Sequence, residues 1–453
     1  MSWRSLVALL VLAAAALAPI RSYDAFWHLA TGRWILEHHA LPLTDPFAIA
    51  SDRVPWINGE WLFQIAARLL EMLGGLPALW IARALLVGAI FVIGWRKSNA
   101  PLLASLAFLG GHQQLDARPS AVAALLLVLA IASVRKPWLF VLVTIVWINV
   151  HPSALLAPLV ALVLTRDVRT TAMSAVALFV NPYGWRGVAA PIMLTSYVGS
   201  GSFVNAEWLP SPPLLFPWLY ATVAIAIALF ALSKDKRRDL WPALLLAVFA
   251  ALAIRSVRNQ GLWFAAFPIL TTPFENWKPI LRWLVPIPIL WVAIATPHTN
   301  VLAPKRFPVN AAQLVKPLPG NLYNPDQFGG YLIWSSYPQR RVLTDGRNEL
   351  YHAFNEEYAI AREDGRAWFA LLRKYRINLA VDEYRAPLDV IDATNGEHRS
   401  MPASLAYWPR RDWALIGYDD TAMVFARRAA YPREVIEKLE VKGVTPDSER
   451  GAE

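Results

Sequence analysis

The sequence predicts an all-α polytopic membrane bundle of about eleven transmembrane helices, followed by a small α/β extracytoplasmic domain. Three observations carry that prediction. Hydrophobic residues make up 56% and charged residues 17% of the 453 positions, and the mean hydropathy is +0.36. A water-soluble chain of this length seldom shows such values. Apolar runs of membrane length recur over roughly the first two-thirds of the chain. After ATPHTNVLAPKRFPVN those runs stop and the charge density rises.

The apolar segments read as 4–20, 76–95, 100–113, 119–134, 137–150, 153–165, 170–180, 214–232, 240–254, 259–272 and 279–296. Several fall short of the ~20 residues a lone span needs. Their ends must therefore run into neighbouring polar motifs, or the helices tilt or break. WRSLVALLVLAAAALAPI (3–20) reads as a retained first helix, because ALAPIRSYDAF is a poor signal-cleavage site. A membrane domain covers 1–299, with a large first outer loop at 21–75. A linker spans 300–308, the α/β domain 309–435, and a charged, frayed tail 436–453. Within the second domain RVLTDGR (341–347), INLAVDEY (377–384) and WALIGYDDTAMVFARR (413–428) read as strands, and 350–375 as helices. Cysteine is absent, which removes disulfide and thiolate–metal readings and fits an oxidising compartment.

Charge bias gives an orientation. With the N-terminus inside, the inner side collects Arg4, Arg96, Lys97, Arg135, Lys136, Arg166, Arg169, Lys234, Lys236, Arg237, Arg238, Lys278 and Arg282. Only Asp167, Asp235, Asp239 and Glu275 oppose them. The outer side balances its arginines with acids, and the region after 300 is neutral overall. The net charge of +10 therefore reports topology. It does not indicate nucleic-acid binding, which needs a basic patch on a soluble face.

The same threading sends every polar cluster to the outer side: Asp24 and His28; His112, Gln114, Asp116 and Arg118; Asn149 and His151; NPYG (181–184); Glu207 and Trp208; and Arg255, Arg258 and Asn259. Ionisable groups near a bilayer are costly and are usually paired or functional. Clusters at helix ends on one face point to a site open to the outside.

The fragments DAFWHLATGRWILEHHALPLTDPFA, PWINGEWL, WINVHPSALLAPL, NPYGW, AEWLPSP and RNQGLWFAAFP resemble a bacterial group of membrane proteins similar to the GT-C superfamily. That superfamily includes protein O-mannosyltransferases, the oligosaccharyltransferase catalytic subunit and rhizobial lipopolysaccharide transferases. The resemblance implies a glycosyltransferase of the bacterial inner membrane, and the charge bias sets its N-terminus cytoplasmic and its C-terminal domain periplasmic. The resemblance also implies a polyprenyl-phosphate sugar donor, a glycan, lipid or protein acceptor, and a carboxylate in the first outer loop as base or metal ligand.

Displacing a phosphate from an anomeric carbon needs a base near the acceptor hydroxyl and positive charge on the leaving group. The resemblance makes Asp24 the base, and its alternative is a helix N-cap for FWHLATGRWILEHH. His28, one helical turn on, could orient that carboxylate, and an interfacial histidine is the plain alternative. Asp45 in TDPF is a third catalytic candidate or an Asx-turn. Glu60 reads as a first-turn acid.

Arg118, His151, Glu207, Arg255 and Arg258 are the substrate-binding candidates. Guanidinium matches phosphate oxygens with two parallel donors, and snorkelling arginines and a bundle histidine are the structural alternatives. A divalent cation (Mg or Mn) would fall to Asp24, Asp116 and Glu207, although QLDARP lacks the DxD of the oligosaccharyltransferase. Asp345 and Arg347 in TDGR close a turn, or capture substrate. A transporter or flippase with a midplane site, or an O-antigen ligase or polymerase, is the alternative function.

Overall fold

The computed structural model describes residues 3–98, 100–199, 206–271, 283–296, 300–391 and 398–448. Contacts gather the chain into two compact units, Met1–Ser22 with Ile57–Leu302 and Tyr23–Trp56 with Ala303–Glu453.

The first unit is helical. It contains α1 (Trp3–Leu17) and, after α2 (Asp24–His38) of the second unit, α3 (Trp61–Ser98), α4 (Pro101–Gly111), α5 (Pro119–Ser133) and α6 (Pro137–Ile148). There follow α7 (Ala157–Thr165), α8 (Val168–Ala177), α9 (Trp185–Gly199), α10 (Pro217–Ala231), α11 (Lys236–Arg255), α12 (Gln260–Leu270) and α13 (Pro286–Ala295). Proline opens α4, α5, α6, α10 and α13. Its fixed φ suits a helix start, and its missing N–H would have no helical partner there. α3 is two helices joined at a break: Gly74 and Gly75 leave the helical region, Gly75 at φ 65°, and Pro77 lies just beyond.

A core of small and branched residues knits α1, α3, α4, α5, α12 and α13, with Val11, Phe91, Phe108, Val128 and Ile289 all buried. Helices α4 and α12 approach closely through glycine. A Cβ at Gly111 would lie 2.8 Å from Cβ of Phe264, and one at Gly110 would overlap the Phe264 ring. Arg83, the lone cation within the apolar part of α3, turns its guanidinium onto the carbonyls of Ala15 and Ala18. Trp80 Nε1 adds a bond of 3.0 Å to Ala18 O. The arginine thus satisfies and neutralises the C-terminal end of α1.

Each of the eleven apolar segments falls on a helix. Among the described residues one helix, Trp61–Arg96, is long and apolar enough by length and composition to cross a membrane. Others, such as Pro137–Ile148 and Pro217–Ala231, are apolar but shorter. Large apolar side chains nevertheless point outward from them, among them Trp138, Leu142, Ile227, Trp291 and Ile294. α9 lies outside the eleven segments, since Arg186, Thr195 and Ser196 interrupt its apolar run. Residues 279–282, with Glu275 and Lys278, lie outside the described residues.

The second unit is mixed. With α2 it contains α14 (Val309–Val315), β1 (Asn321–Tyr323), α15 (Asp326–Ser336), α16 (His352–Glu363), α17 (Gly365–Lys374) and β2 (Ile377–Glu383). β3 (Leu388–Ile391), β4 (His398–Met401), α18 (Ala403–Tyr407), β5 (Trp413–Tyr418), β6 (Ala422–Arg427) and α19 (Arg433–Leu439) complete it. The sheet order is β1-β2-β6-β5, with β3 and β4 forming a separate pair. β1 runs parallel to β2, β2 pairs antiparallel with β6, placing Val381 opposite Val424, and β5 pairs antiparallel with β6. Tyr323, Trp368 and Trp408 pack edge-on and tilted beneath the sheet.

Two sequence expectations change here. Residues 341–347 do not form a strand: Val342 makes an isolated bridge to Ala48, and the chain then turns, because Asp345 and Arg347 are drawn into a buried ion pair. The tail is not frayed through residue 448. α19 opens it, and buried Asp447 accepts bonds of 2.7 Å from Ser404 N and 2.6 Å from Ser404 Oγ. Residues 449–453 lie outside the described residues.

Candidate functional site

In the second unit, Asp24 opens α2 as its first helical residue, and the preceding Tyr23 makes no side-chain cap. Asp24 is thus the first helical residue rather than the N-cap, and its carboxylate there complements the positive end of the helix dipole. Its Oδ1 accepts a bond of 3.1 Å from Trp27 Nε1, one turn along. Beside it runs the Asp345-Gly346-Arg347 turn, close enough that a Cβ on Gly346 would lie 2.8 Å from the same oxygen. His28 is buried, 1% exposed, and its ring packs on Trp27 with centroids 3.6 Å apart.

Asp45 sits elsewhere in this chemistry. Its carboxylate accepts from Phe47 N at 3.0 Å, from Ala48 N at 3.3 Å and from Ser51 Oγ. This is the Asx-turn that TDPF allowed. Arg347 Nη1 adds a bond of 2.8 Å, and both side chains are fully buried. Arg347 is further held by Asp345 through Nε at 2.8 Å and through Nη2. Tyr351 OH donates to Asp345 Oδ2 at 2.8 Å. Burial alone would lower the arginine's pKa, but Asp345 and then Asp45 hold it well above the ordinary value. A carboxylate with these partners anchors a loop. The turn reading of Asp345 and Arg347 fits, and full burial leaves Arg347 no surface for capturing a ligand.

In the first unit, Arg118, His151, Glu207 and Arg258 come together. Arg118 Nη1 binds Glu207 Oε1, and Nη2 lies 3.4 Å from Gln114 Oε1. Ser256 Oγ donates to the Glu207 carbonyl at 2.9 Å, and the Arg258 guanidinium lies 4.2 Å over the Trp208 ring. His151 Nδ1 accepts from Ser153 N at 3.1 Å. Burial first, then the charges of Arg258 and Arg118, push its ring down to about 3. His151 is thus a neutral imidazole between two guanidinium groups. Arg255 does not join them: it is the exposed last residue of α11, where a cation complements the helix dipole.

Asp116 is buried, with Oδ2 taking Arg21 N at 2.9 Å and Oδ1 taking Ala117 N at 2.6 Å. Glu60 precedes α3, and its carbonyl accepts Gln64 N at 3.2 Å. Trp61 Nε1 bonds Asn149 Oδ1 at 2.8 Å. Among the described residues no three His, Asp or Glu side chains gather as a metal site. Asp116 and Glu207 instead hold Arg21 N, Ala117 N and Arg118. Sequence reasoning missed Trp27, Gly346 and Ser153. Trp27 was legible as an indole one turn from Asp24, whereas Gly346 carries no signal without the fold.

No protein-family model matches the chain, and no curated protein matches its sequence. Solved structures do match. The fold is similar to the archaeal oligosaccharyltransferase AglB from Archaeoglobus fulgidus in complex with an inhibitory peptide and a dolichol-phosphate. That match has a TM-score of 0.59 at 10% identity and covers 89% of this chain and 74% of that one. The apo form of the Archaeoglobus fulgidus oligosaccharyltransferase gives a TM-score of 0.61 at 10% identity and the same coverage. At this identity the likeness is one of fold, and it extends over most of the chain.

Proposed function

We propose that this protein is a multi-pass membrane glycosyltransferase of GT-C type. It moves a sugar from a polyprenyl-phosphate-linked donor to an acceptor hydroxyl on the outer face of the bacterial inner membrane. The observation that carries the reading is the fold, shared over 89% of the chain with an oligosaccharyltransferase whose structure holds a dolichol-phosphate. Two further observations support it. Outward-facing Trp138, Ile227 and Ile294 suit lipid, whereas in water such a surface marks a contact or aggregation site. The paired arginines beside a neutral histidine suit a phosphate.

The roles follow from the chemistry. Asp24 takes the proton from the acceptor hydroxyl as its oxygen bonds to the anomeric carbon. The bond from that carbon to the phosphate oxygen breaks, and the phosphate leaves with the electron pair. Within the first unit, Arg118 and Arg258 suit a phosphate, Arg118 exchanging Glu207 for it. His151, neutral near pH 7, accepts or donates a hydrogen bond without adding a third positive charge. Asp45 and Arg255 have no part in this scheme. The eleven spans, the cytoplasmic N-terminus and the periplasmic second domain belong to the same proposal.

The test is sugar release by the purified protein in proteoliposomes containing radiolabelled polyprenyl-phosphate-linked hexose or pentose. Label should leave the lipid with the wild-type protein and not with Asp24→Asn, which keeps the side chain's size and removes its basicity. Release from neither donor by the wild-type protein defeats the proposal. Normal release by Asp24→Asn removes Asp24 as the base.

A further inference from the structure

We infer that Arg347 is a positioning residue for Asp24, acting through the Asp345-Gly346-Arg347 turn and the Trp27 indole. This rests on the reading of Asp24 as the base. Its subject is how a half-buried carboxylate at the start of a helix is kept in one orientation.

Trp27 and Gly346 both border the Asp24 carboxylate. Trp27 Nε1 donates to Oδ1, and the backbone of Gly346 runs so close that a methyl there would lie 2.8 Å from Oδ1 and 3.9 Å from Trp27 Nε1. A methyl at Gly346 would therefore push the Asp24 carboxylate aside, and the turn forms a wall against the oxygen that takes the indole hydrogen bond.

Arg347 fixes both groups without touching the carboxylate. Its Nε and Nη2 grip Asp345 and its Nη1 grips Asp45, which holds the turn on either side of Gly346. Its guanidinium also lies 5.8 Å from the Trp27 ring centroid and 4.6 Å from that of Trp56, within reach of a cation–π attraction that orients the indoles. A glycine pair, Gly329 and Gly330, closes the arrangement. A Cβ on Gly330 of α15 would lie 2.7 Å from the Tyr23 carbonyl and 3.4 Å from Trp27 N, and one on Gly329 would overlap Thr344 O. The GG of NPDQFGGYLIW thus lets α15 press the first turn of α2 and the TDGR turn into one block.

A base held by neighbours whose own positions are fixed needs no rearrangement at the moment of reaction. The buried ions Asp45, Arg347 and Asp345 therefore act on turnover as well as on folding, and Gly346 is the point at which their rigidity reaches the reacting group.

The experiment uses full-length protein in proteoliposomes with the radiolabelled hexose and pentose lipid donors. It measures kcat, KM for donor and thermal melting for Gly346→Ala, Arg347→Lys and Asp24→Asn. Gly346→Ala should lower kcat on the order of a hundredfold, the effect of a misplacement near 1 Å, with KM within about twofold and melting close to the parent. Arg347→Lys should show the same split of kcat from KM together with some loss of stability. Unchanged kcat in Gly346→Ala overturns the inference, as does a fall in kcat that matches the loss of folded protein. If Asp24→Asn is inactive while both turn variants are normal, the positioning role alone fails. If Asp24→Asn transfers normally, the base assignment fails and the positioning role falls with it.

Discussion

Arg347 and Asp45, 302 residues apart in the chain, form an ion pair at 2.8 Å with neither side chain exposed. Arg347 keeps Asp345 when Asp45 is removed, so the loss is that of one buried charge-assisted hydrogen bond, about 1.5–3 kcal/mol. Asp45→Asn should therefore lower the melting temperature clearly, read by tryptophan fluorescence of the detergent-purified protein. Asp52→Asn is the control, since its partner Arg341 is partly exposed and exposed pairs contribute about 0–1 kcal/mol. Equal melting of the two variants would mean that burial gives the Arg347 pair no special weight.

The contact of α4 with Phe264 makes a packing prediction. Gly110→Ala forces a methyl into the Phe264 ring, and overpacking of this kind costs about 1–3 kcal/mol. Pairing it with Phe264→Leu should recover part of the loss, because the overlapping ring is gone. Additive losses in the double variant, measured by melting, would show that the two residues do not compete for space.

The arginines divide into two kinds. Arg118→Lys and Arg258→Lys should each weaken donor use about ten- to a hundredfold, the effect of losing one charge-assisted bond of roughly 1.5–3 kcal/mol. Lysine keeps the charge but lacks the fork that matches phosphate oxygens. Arg255→Lys should be silent, since that side chain is exposed at the end of α11. Kinetics against donor concentration separate the outcomes, and a loss at Arg255 equal to that at Arg258 would overturn the division.

His151 sets an acid limit. Its folded pKa, about 3, lies below the unfolded value near 6.5, so between the two the unfolded chain binds the extra proton. Stability is then full above about pH 6.5 and declines as pH falls toward 3. His151→Asn should flatten that decline when melting is followed from pH 7 to 4. An unchanged slope would place the acid sensitivity on other groups.

Much of this architecture was legible from local pattern. Strands at 377–383, 413–418 and 422–427 follow short apolar runs, and several helix starts follow proline, because both depend on near neighbours. RVLTDGR was misread for the opposite reason. Its alternation resembles a strand, but Arg347 reaches Asp45 and Arg341 reaches Asp52, partners that no local window contains. Of the candidate site, the paired arginines and the acid at the start of α2 were legible as residue types. That Arg118 and Arg258 share His151 while Arg255 does not depends on the turn at Ser256–Asn259, which separates Arg255 from Arg258.

The span between Asp45 and Arg347 also has a duration. A ribosome adding about 5–20 residues per second needs on the order of 15–60 s to travel from one to the other. Throughout that interval the loop that follows α2 has been synthesised but lacks the arginine that neutralises its aspartate. A nascent chain halted before residue 347 would carry an unmatched acid and unpacked indoles at Trp27 and Trp56. The later residues therefore complete a structure begun 302 positions earlier, and a cell's quality-control proteases have that long to inspect an unfinished loop.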